Sequence, residues 1–198
     1  MARPTPHALT RKEALGAALA AGGVAAGGVV LGGPDPASSR RAADGGTAAL
    51  NEILRVERLQ AALYAQAAKS GAMTGELGTF ANTLADQERD HVAVLTRLLG
   101  ASAERAPVMR FGRAVSEPDA FSLAARKLED LATRAYNVQA LSLTGRPLRE
   151  VLRIVSVEAR HAAWIRDIRG ENPAPDAVEP GASGAQVRAA LAGTGFLG

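Results

Sequence analysis

Two stretches of thirteen residues, ERDHVAVLTRLLG at positions 88–100 and EARHAAWIRDIRG at positions 158–170, share one pattern. Each begins with Glu-x-x-His, has Leu or Ile four and seven residues after the histidine, and ends with glycine. The chain has only three histidines among 198 residues, so two matching stretches are improbable by chance. The repeat predicts a duplicated structural unit.

Apolar residues at spacings of three and four predict four amphipathic helices. Pro118 and Pro147 mark the starts of the third and fourth helix, and Gly100 and Gly170 follow the second and fourth, where glycine commonly ends a helix. Aromatic residues make up only 4% of the chain, which favours closely packed helices over a β-sheet. The predicted helices span residues 47–70, 76–99, 118–143 and 147–169.

Each predicted helix carries a glutamate on its apolar face. A carboxylate that leaves water without a partner costs free energy, and several of them close together repel one another. The four residues concerned are Glu57, Glu88, Glu129 and Glu158. Their position requires a chemical explanation.

The links between the helices bring these glutamates together. The links near residues 71–75 and 144–146 are short, so each joins antiparallel neighbours. Each glutamate lies 11–14 residues from its turn, which is roughly 16–21 Å at about 1.5 Å per residue. Residues 101–117 are long enough to cross the whole bundle, so the second and third helices can lie parallel. The sequence therefore predicts an all-α, four-helix bundle with one long crossover.

Six side chains of metal-ligand type are expected at one level of this bundle. Glu and His three residues apart share a helix face, so one helix offers two ligands to one ion. Four carboxylates balance two divalent cations, which removes the cost of burying them. Oxygen-rich ligation with two imidazoles suits iron or manganese, although affinity alone does not exclude zinc. The candidate ligands are Glu57, Glu88, His91, Glu129, Glu158 and His161.

This ligand set resembles the ferritin-like superfamily of dimetal-carboxylate proteins, in which two helices each supply a Glu and two others each supply Glu-x-x-His. The resemblance covers about residues 47–170. The leader, PVMRF at 107–111 and VEARH at 157–161 are similar to the exported bacterial branch, which is related to plant desiccation-related proteins. The resemblance implies two metal ions, iron or else manganese, that react with dioxygen or peroxide. It also implies that Glu57 and Glu129 complete and bridge the metal pair.

Two tyrosines repeat with the same offset from these glutamates. Glu57 and Glu129 each begin the pattern Glu-x-Leu-x-x-x-x-Tyr, which ends at Tyr64 and Tyr136. The resemblance implies that both tyrosines hydrogen-bond the metal site, and simple core packing is the alternative. For the six candidate ligands, the alternative is a folded bundle that binds no metal.

Residues 1–33 have the layout of an export signal, because the basic pair Arg11-Lys12 precedes an uncharged run rich in Ala and Gly. The pair resembles a twin-arginine signal in which Lys replaces one Arg. An uncleaved membrane anchor and a disordered tail are the alternatives, since the run approaches the ~20 residues that span a bilayer. Residues 34–46 are predicted to be a flexible linker, and residues 171–198 a tail with a short helix near 184–191. Export would place the protein in the periplasm, the cell envelope or the extracellular space.

Composition and charge narrow the function classes. The absence of cysteine excludes disulfides, thiolate metal sites and lipid attachment through cysteine. Without the five basic and three acidic residues of positions 1–45 the net charge is +1, so nucleic-acid binding by the folded part is not expected. The favoured function is oxidation of Fe(II) or consumption of peroxide in envelope protection, with metal ions and a small oxidant as partners. The alternative is a non-catalytic, metal-stabilised module for stress or desiccation tolerance or for partner binding. A homodimer is compatible with both.

Overall fold

The computed structural model describes the backbone of residues 36–198 and the side chains of residues 43–198. Within this part of the chain the regular structure is helical, and β pairing is limited to one isolated bridge between Met109 and Leu197. The predicted all-α class is confirmed. The helices are α1 (Pro36–Ser70), α2 (Gly75–Leu99), α3 (Pro118–Gln139), α4 (Gly145–Ile168) and α5 (Gly184–Gly193).

Contacts between side chains fix the direction of each helix in the bundle. Tyr136 of α3 contacts Glu57 of α1, and Tyr64 of α1 contacts Glu129 of α3, so these two helices are antiparallel. The short turn over residues 71–74 makes α1 and α2 antiparallel as well. The second and third helices therefore run parallel, which confirms the predicted bundle with one long crossover.

The first helix begins earlier than predicted. It starts at Pro36, so helix replaces the flexible linker expected over residues 34–46 from that residue onward. Proline is tolerated in the first turn of a helix, and the following Ser, Arg and Ala residues extend a helix that is already nucleated by the amphipathic segment after it. The predicted export signal at residues 1–33 lies outside the described residues. Among the described helices, none has the length and apolar character together that a membrane span requires.

Matching glycines start the two helices that carry Glu-x-x-His. Gly75 and Gly145 both have φ of +58°, a region that glycine adopts without steric cost. Each follows a threonine at the N-cap position. Glu88 and Glu158 each lie 13 residues after their glycine. The repeat thus extends to the helix starts and sets both glutamates at the same depth.

Apolar side chains enclose the middle of the bundle from both ends. Along α2, Glu88 and His91 lie between the fully buried Leu84 of one hydrophobic cluster and the fully buried Leu95 of another. The first cluster contains most of the aromatic core, and the second contains Tyr136. This arrangement separates the polar residues of the core from solvent at either end of the bundle.

Hydrogen bonds hold the crossover against α1 and against the C-terminal tail. Asn51 of α1 donates to the carbonyl of Ser102 and accepts from the backbone N–H of Glu104, which fixes the start of the crossover. The N–H of Arg110 donates to the carbonyl of Phe196 at 2.8 Å. Within the tail, α5 includes the predicted short helix at residues 184–191. Val187 and Leu191 of α5 are buried in the hydrophobic core.

Candidate metal centre

The six candidate ligands meet in the middle of the bundle, one or two from each of α1 to α4. The four carboxylates are fully buried, and His91 and His161 are 8% and 4% exposed. Charged groups are rarely buried to this extent unless they are paired or coordinate metal. These six side chains, Glu57, Glu88, His91, Glu129, Glu158 and His161, form the Glu/His cluster.

The cluster divides into two overlapping groups, in each of which ligand atoms lie within 4.8 Å of one another. Each histidine belongs to one group, whereas Glu88 and Glu158 belong to both. Glu57 and Glu129, for which the resemblance implies a bridging role, each belong to one group only. The groups are Glu57, Glu88, His91 and Glu158, and Glu88, Glu129, Glu158 and His161.

Glu88 and Glu158 belong to both groups because α2 and α4 face each other across the cluster. Glu88 Oε1 lies 3.0 Å from Nδ1 of His161, and Glu158 Oε1 lies 3.0 Å from Nδ1 of His91. The imidazole ring centres are 6.1 Å apart. Each Glu-x-x-His carboxylate thus reaches the histidine of the opposite helix, which puts it between the two groups.

Unpartnered polar atoms test whether this cluster suits metal ions. Five buried atoms of the cluster make no well-aligned hydrogen bond among the described residues, although buried polar atoms normally make one. The four carboxylate oxygens among them lie 3.0–3.5 Å from an imidazole nitrogen, but not in hydrogen-bond alignment. All five are lone-pair donors on metal-ligand residues and point into the two groups. The cluster therefore fits divalent cations. The atoms are Glu57 Oε2, Glu88 Oε1, Glu129 Oε2, Glu158 Oε1 and His161 Nδ1.

Burial and neighbouring charges set the proton affinity of the cluster. Burial, together with the charges of the other carboxylates, raises the pKa of Glu88 and Glu158 well above its ordinary value. Burial acts in the same direction on Glu57, but the close contact with His91 and the charge of its imidazole outweigh burial and lower the pKa of Glu57. Burial lowers the pKa of His91, yet the close carboxylates of Glu158, Glu57 and Glu88 outweigh burial and raise this pKa overall. Without metal, the cluster therefore retains protons to a higher pH than separate carboxylates and imidazoles do.

Both sequence-predicted tyrosines contact the cluster, each across the bundle from its own helix. Tyr136 donates a hydrogen bond of 2.6 Å to Glu57 Oε1, and Tyr64 donates to Glu129 Oε1. Burial and the charge of the accepting carboxylate raise the pKa of both hydroxyls well above the ordinary value. The tyrosines therefore stay protonated and act as hydrogen-bond donors.

Two glutamines that the sequence analysis missed also contact the cluster. Gln60 donates to Glu129 Oε1 at 2.8 Å. The Nε2 atom of His161 lies 2.6 Å from Gln87 Oε1. Because an amide oxygen only accepts, Nε2 of His161 carries the proton and Nδ1 is free to bind metal. Their positions, three residues after Glu57 and immediately before Glu88, were the available sequence signal.

A surface pocket gives access to the histidines. A cavity of about 530 Å³, the histidine pocket, lies between α2 and α4 and includes both imidazoles in its wall. Trp164 also lines it, donates from its indole N–H to Glu76 and packs edge-on against Phe80. Small ions and molecules can therefore approach the cluster from the side of His91 and His161.

A four-helix bundle around two overlapping Glu/His groups is the arrangement of dimetal-carboxylate proteins. A family model for the ferritin-like domain matches residues 46–171, which is more than half of the chain. The chain belongs to this ferritin-like family. A search of curated proteins gave no match. The matched range includes every residue of the Glu/His cluster.

Proposed function

We propose that the Glu/His cluster binds two divalent metal ions, with iron as the best-suited metal, and that the protein oxidises Fe(II) with peroxide or dioxygen. The observation that carries this proposal is the pair of overlapping ligand groups with Glu88 and Glu158 in common. Four carboxylates balance the charge of two divalent ions. Oxygen-rich ligation with one imidazole per ion suits iron or manganese.

The two tyrosines determine which oxygen of Glu57 and of Glu129 is available to a metal ion. In Glu57, Oε1 accepts from Tyr136, while Oε2 makes no well-aligned hydrogen bond among the described residues and lies 3.3 Å from Nδ1 of His91. In Glu129, Oε1 accepts from Tyr64 and Oε2 likewise makes no well-aligned hydrogen bond there. Each of these glutamates would therefore offer one oxygen to a metal ion, and Glu88 and Glu158 would be the residues available to both ions.

Two Fe(II) ions held by these residues would supply two electrons, enough with two protons to reduce one hydrogen peroxide to two waters or one dioxygen to hydrogen peroxide. The chain holds both ligand groups at one depth of the bundle. Hydrophobic clusters exclude water at the two ends of the centre. The histidine pocket is large enough for an oxidant of two oxygen atoms and for ions.

We also propose that the protein works outside the cytoplasm, in protection of the cell envelope. The support is the basic pair Arg11-Lys12 followed by an uncharged Ala/Gly-rich run. Mass spectrometry of the protein from its native fractions tests this location. Intact residues 1–33 on protein confined to the cytoplasm would contradict it.

The test of the chemistry is oxidation of anaerobically loaded Fe(II) by a stoichiometric pulse of hydrogen peroxide. We expect oxidation much faster than in buffer for the native chain and loss of this acceleration in Glu158→Gln. Glu150→Gln, on the same helix but outside the cluster, is the matched control and should behave as the native chain. Metal-dependent stabilisation without faster oxidation would overturn the catalytic proposal in favour of a metal-stabilised module.

A further inference from the structure

A second pocket lies on the outer face of α3, away from the Glu/His cluster. The α3 groove has a volume of about 610 Å³ and lies between α3, the 3₁₀ turn Gly112–Val115 and the end of α5. Pockets of about 300–1,000 Å³ hold small organic ligands. None of the six candidate metal ligands lines this groove.

The floor of the α3 groove is apolar. Phe111, Leu128 and Leu131 are buried at its base, and the ring of Phe111 packs edge-on against Phe196 of the tail. Leu123 is 43% exposed within the same surface. An apolar chain laid over these residues would remove hydrophobic surface from water, which favours binding.

The rim of the groove is cationic. Arg113, Arg126, Lys127 and Arg134 line it, and Asp130 is its acidic residue. Arg113 pairs with Glu117, and Arg126 pairs with Asp130 and Glu171. The other two cations of the rim have no carboxylate paired with them among the described residues.

Those two cations are Lys127 and Arg134, which form no ion pair among the described residues. Moreover, Nε of Arg134 is buried and has no hydrogen-bond partner there. A buried donor without an acceptor costs free energy. An anionic headgroup in the groove would meet the remaining guanidinium nitrogens of Arg134 and balance the positive charge that no carboxylate pairs with.

We propose that the α3 groove binds a single-chain amphiphilic anion, a fatty-acid-type carboxylate, with its headgroup at Lys127 and Arg134 and its chain over Leu123 and Phe111. The apolar floor is recessed between α3 and the tail, so it suits one chain better than a membrane surface. This site is independent of the metal centre and of the proposed oxidation.

Calorimetric titration of the full-length chain with laurate at low ionic strength tests the site, below the concentration at which laurate aggregates. We expect saturable binding of one laurate per chain. Dodecanol, which lacks the charge, should bind at least tenfold more weakly, and acetate, which lacks the chain, should not bind. Equal binding of laurate and dodecanol, or binding to anionic phospholipid vesicles without binding of monomeric laurate, would overturn the proposal.

Substitutions in the α3 groove distinguish binding of laurate at this site from non-specific binding elsewhere on the chain. Lys127→Glu and Arg134→Gln should each weaken laurate binding at least fivefold, and Leu123→Asp should abolish it. The matched control is Arg149→Glu, a charge reversal at an exposed residue of α4 outside the groove, which should leave affinity unchanged. Lys127 and Leu123 are exposed, so these variants should fold even if Arg134→Gln does not. Unchanged affinity in folded Lys127→Glu and Leu123→Asp would contradict the site.

Discussion

Glu88 of α2 lies 3.0 Å from His161 of α4, and Glu158 of α4 lies 3.0 Å from His91 of α2. This reciprocal arrangement means that each Glu-x-x-His motif is completed by the other. Neither helical hairpin alone contains a full ligand group. Metal binding and the docking of the two hairpins are therefore expected to be coupled.

Metal ions should stabilise the folded chain. A ligand present at one hundred times its Kd adds about 2.7 kcal/mol to the free energy of unfolding, which for a chain of this size corresponds to a rise in Tm on the order of 5–10 °C. Differential scanning calorimetry under anaerobic conditions, with and without Fe(II) or Mn(II), measures the effect. Glu88→Gln, which removes a ligand common to both groups, should abolish most of the rise. Equal shifts in Glu88→Gln and the native chain would place the bound metal elsewhere.

The metal-free chain should lose stability as the pH rises. The pKa of Glu88, Glu158 and His91 is raised in the folded state, so the folded chain holds more protons than the unfolded chain above the ordinary pKa of each group. The stability that these groups contribute is complete below about pH 4.5 for the glutamates and below about pH 6.5 for the histidine, and it declines above those values. The pKa of Glu57 is lowered in the folded state, so this residue adds stability as the pH rises, but only at pH values below its ordinary pKa.

Thermal melts of the metal-free chain between pH 5 and 8 test this dependence. We expect a falling Tm over that range and a flatter profile in Glu88→Gln. The Glu150→Gln variant should retain the native slope. A Tm that rises from pH 5 to 8 in the metal-free chain would show that the carboxylates are ionised and stabilising without metal.

Gln87→Ala should weaken metal binding without large loss of stability. Gln87 accepts from Nε2 of His161 and thereby keeps Nδ1 available as a ligand. Loss of such a partner typically lowers metal affinity about 10- to 100-fold. Competition with a chromogenic chelator measures the affinity, and Gln66→Ala, at an exposed glutamine of α1, is the control. Identical affinities in the two variants would mean that Gln87 does not position His161.

Tyr136→Phe should destabilise the chain, because it leaves Glu57 Oε1 buried without its donor. An unsatisfied buried polar group costs about 1–3 kcal/mol. Urea unfolding of the metal-free variant measures the change in the free energy of unfolding. The ring of Tyr136 is retained as phenylalanine, so packing is preserved and the loss reports on the hydrogen bond. A change below the error of the measurement would indicate that this tyrosine serves only to fill the core.

The bundle was predictable because its determinants are local in sequence. The spacing of apolar residues defines the faces of α2 and α4, and the lengths of the links define which neighbours are antiparallel. The equal offsets of Glu57 and Glu129 from Tyr64 and Tyr136 predicted the repeat that the structure contains. None of these inferences depends on the conformation of a side chain.

The division of the Glu/His cluster into two ligand groups could not be predicted from local sequence. Sequence places Glu57 and Glu88 on inward faces, but which carboxylate reaches the centre depends on side-chain direction and on which helices oppose each other. Gln60 and Gln87 were missed because their positions near Glu57 and Glu88 do not show whether an amide contacts the cluster until its partner on another helix is known. The early start of α1 at Pro36 reflects propagation from the amphipathic segment, which overrides the weak helix preference of Gly45 and Gly46.

The matched interval from Gly75 to Glu88 and from Gly145 to Glu158 limits how this chain can change in length. One inserted residue in either interval would rotate the downstream glutamate and histidine by about 100° around the helix axis, at 3.6 residues per turn. Both ligands would then leave the interior together. Insertions and deletions compatible with an intact centre are therefore expected in the crossover and after Gly170, and not within these two thirteen-residue intervals.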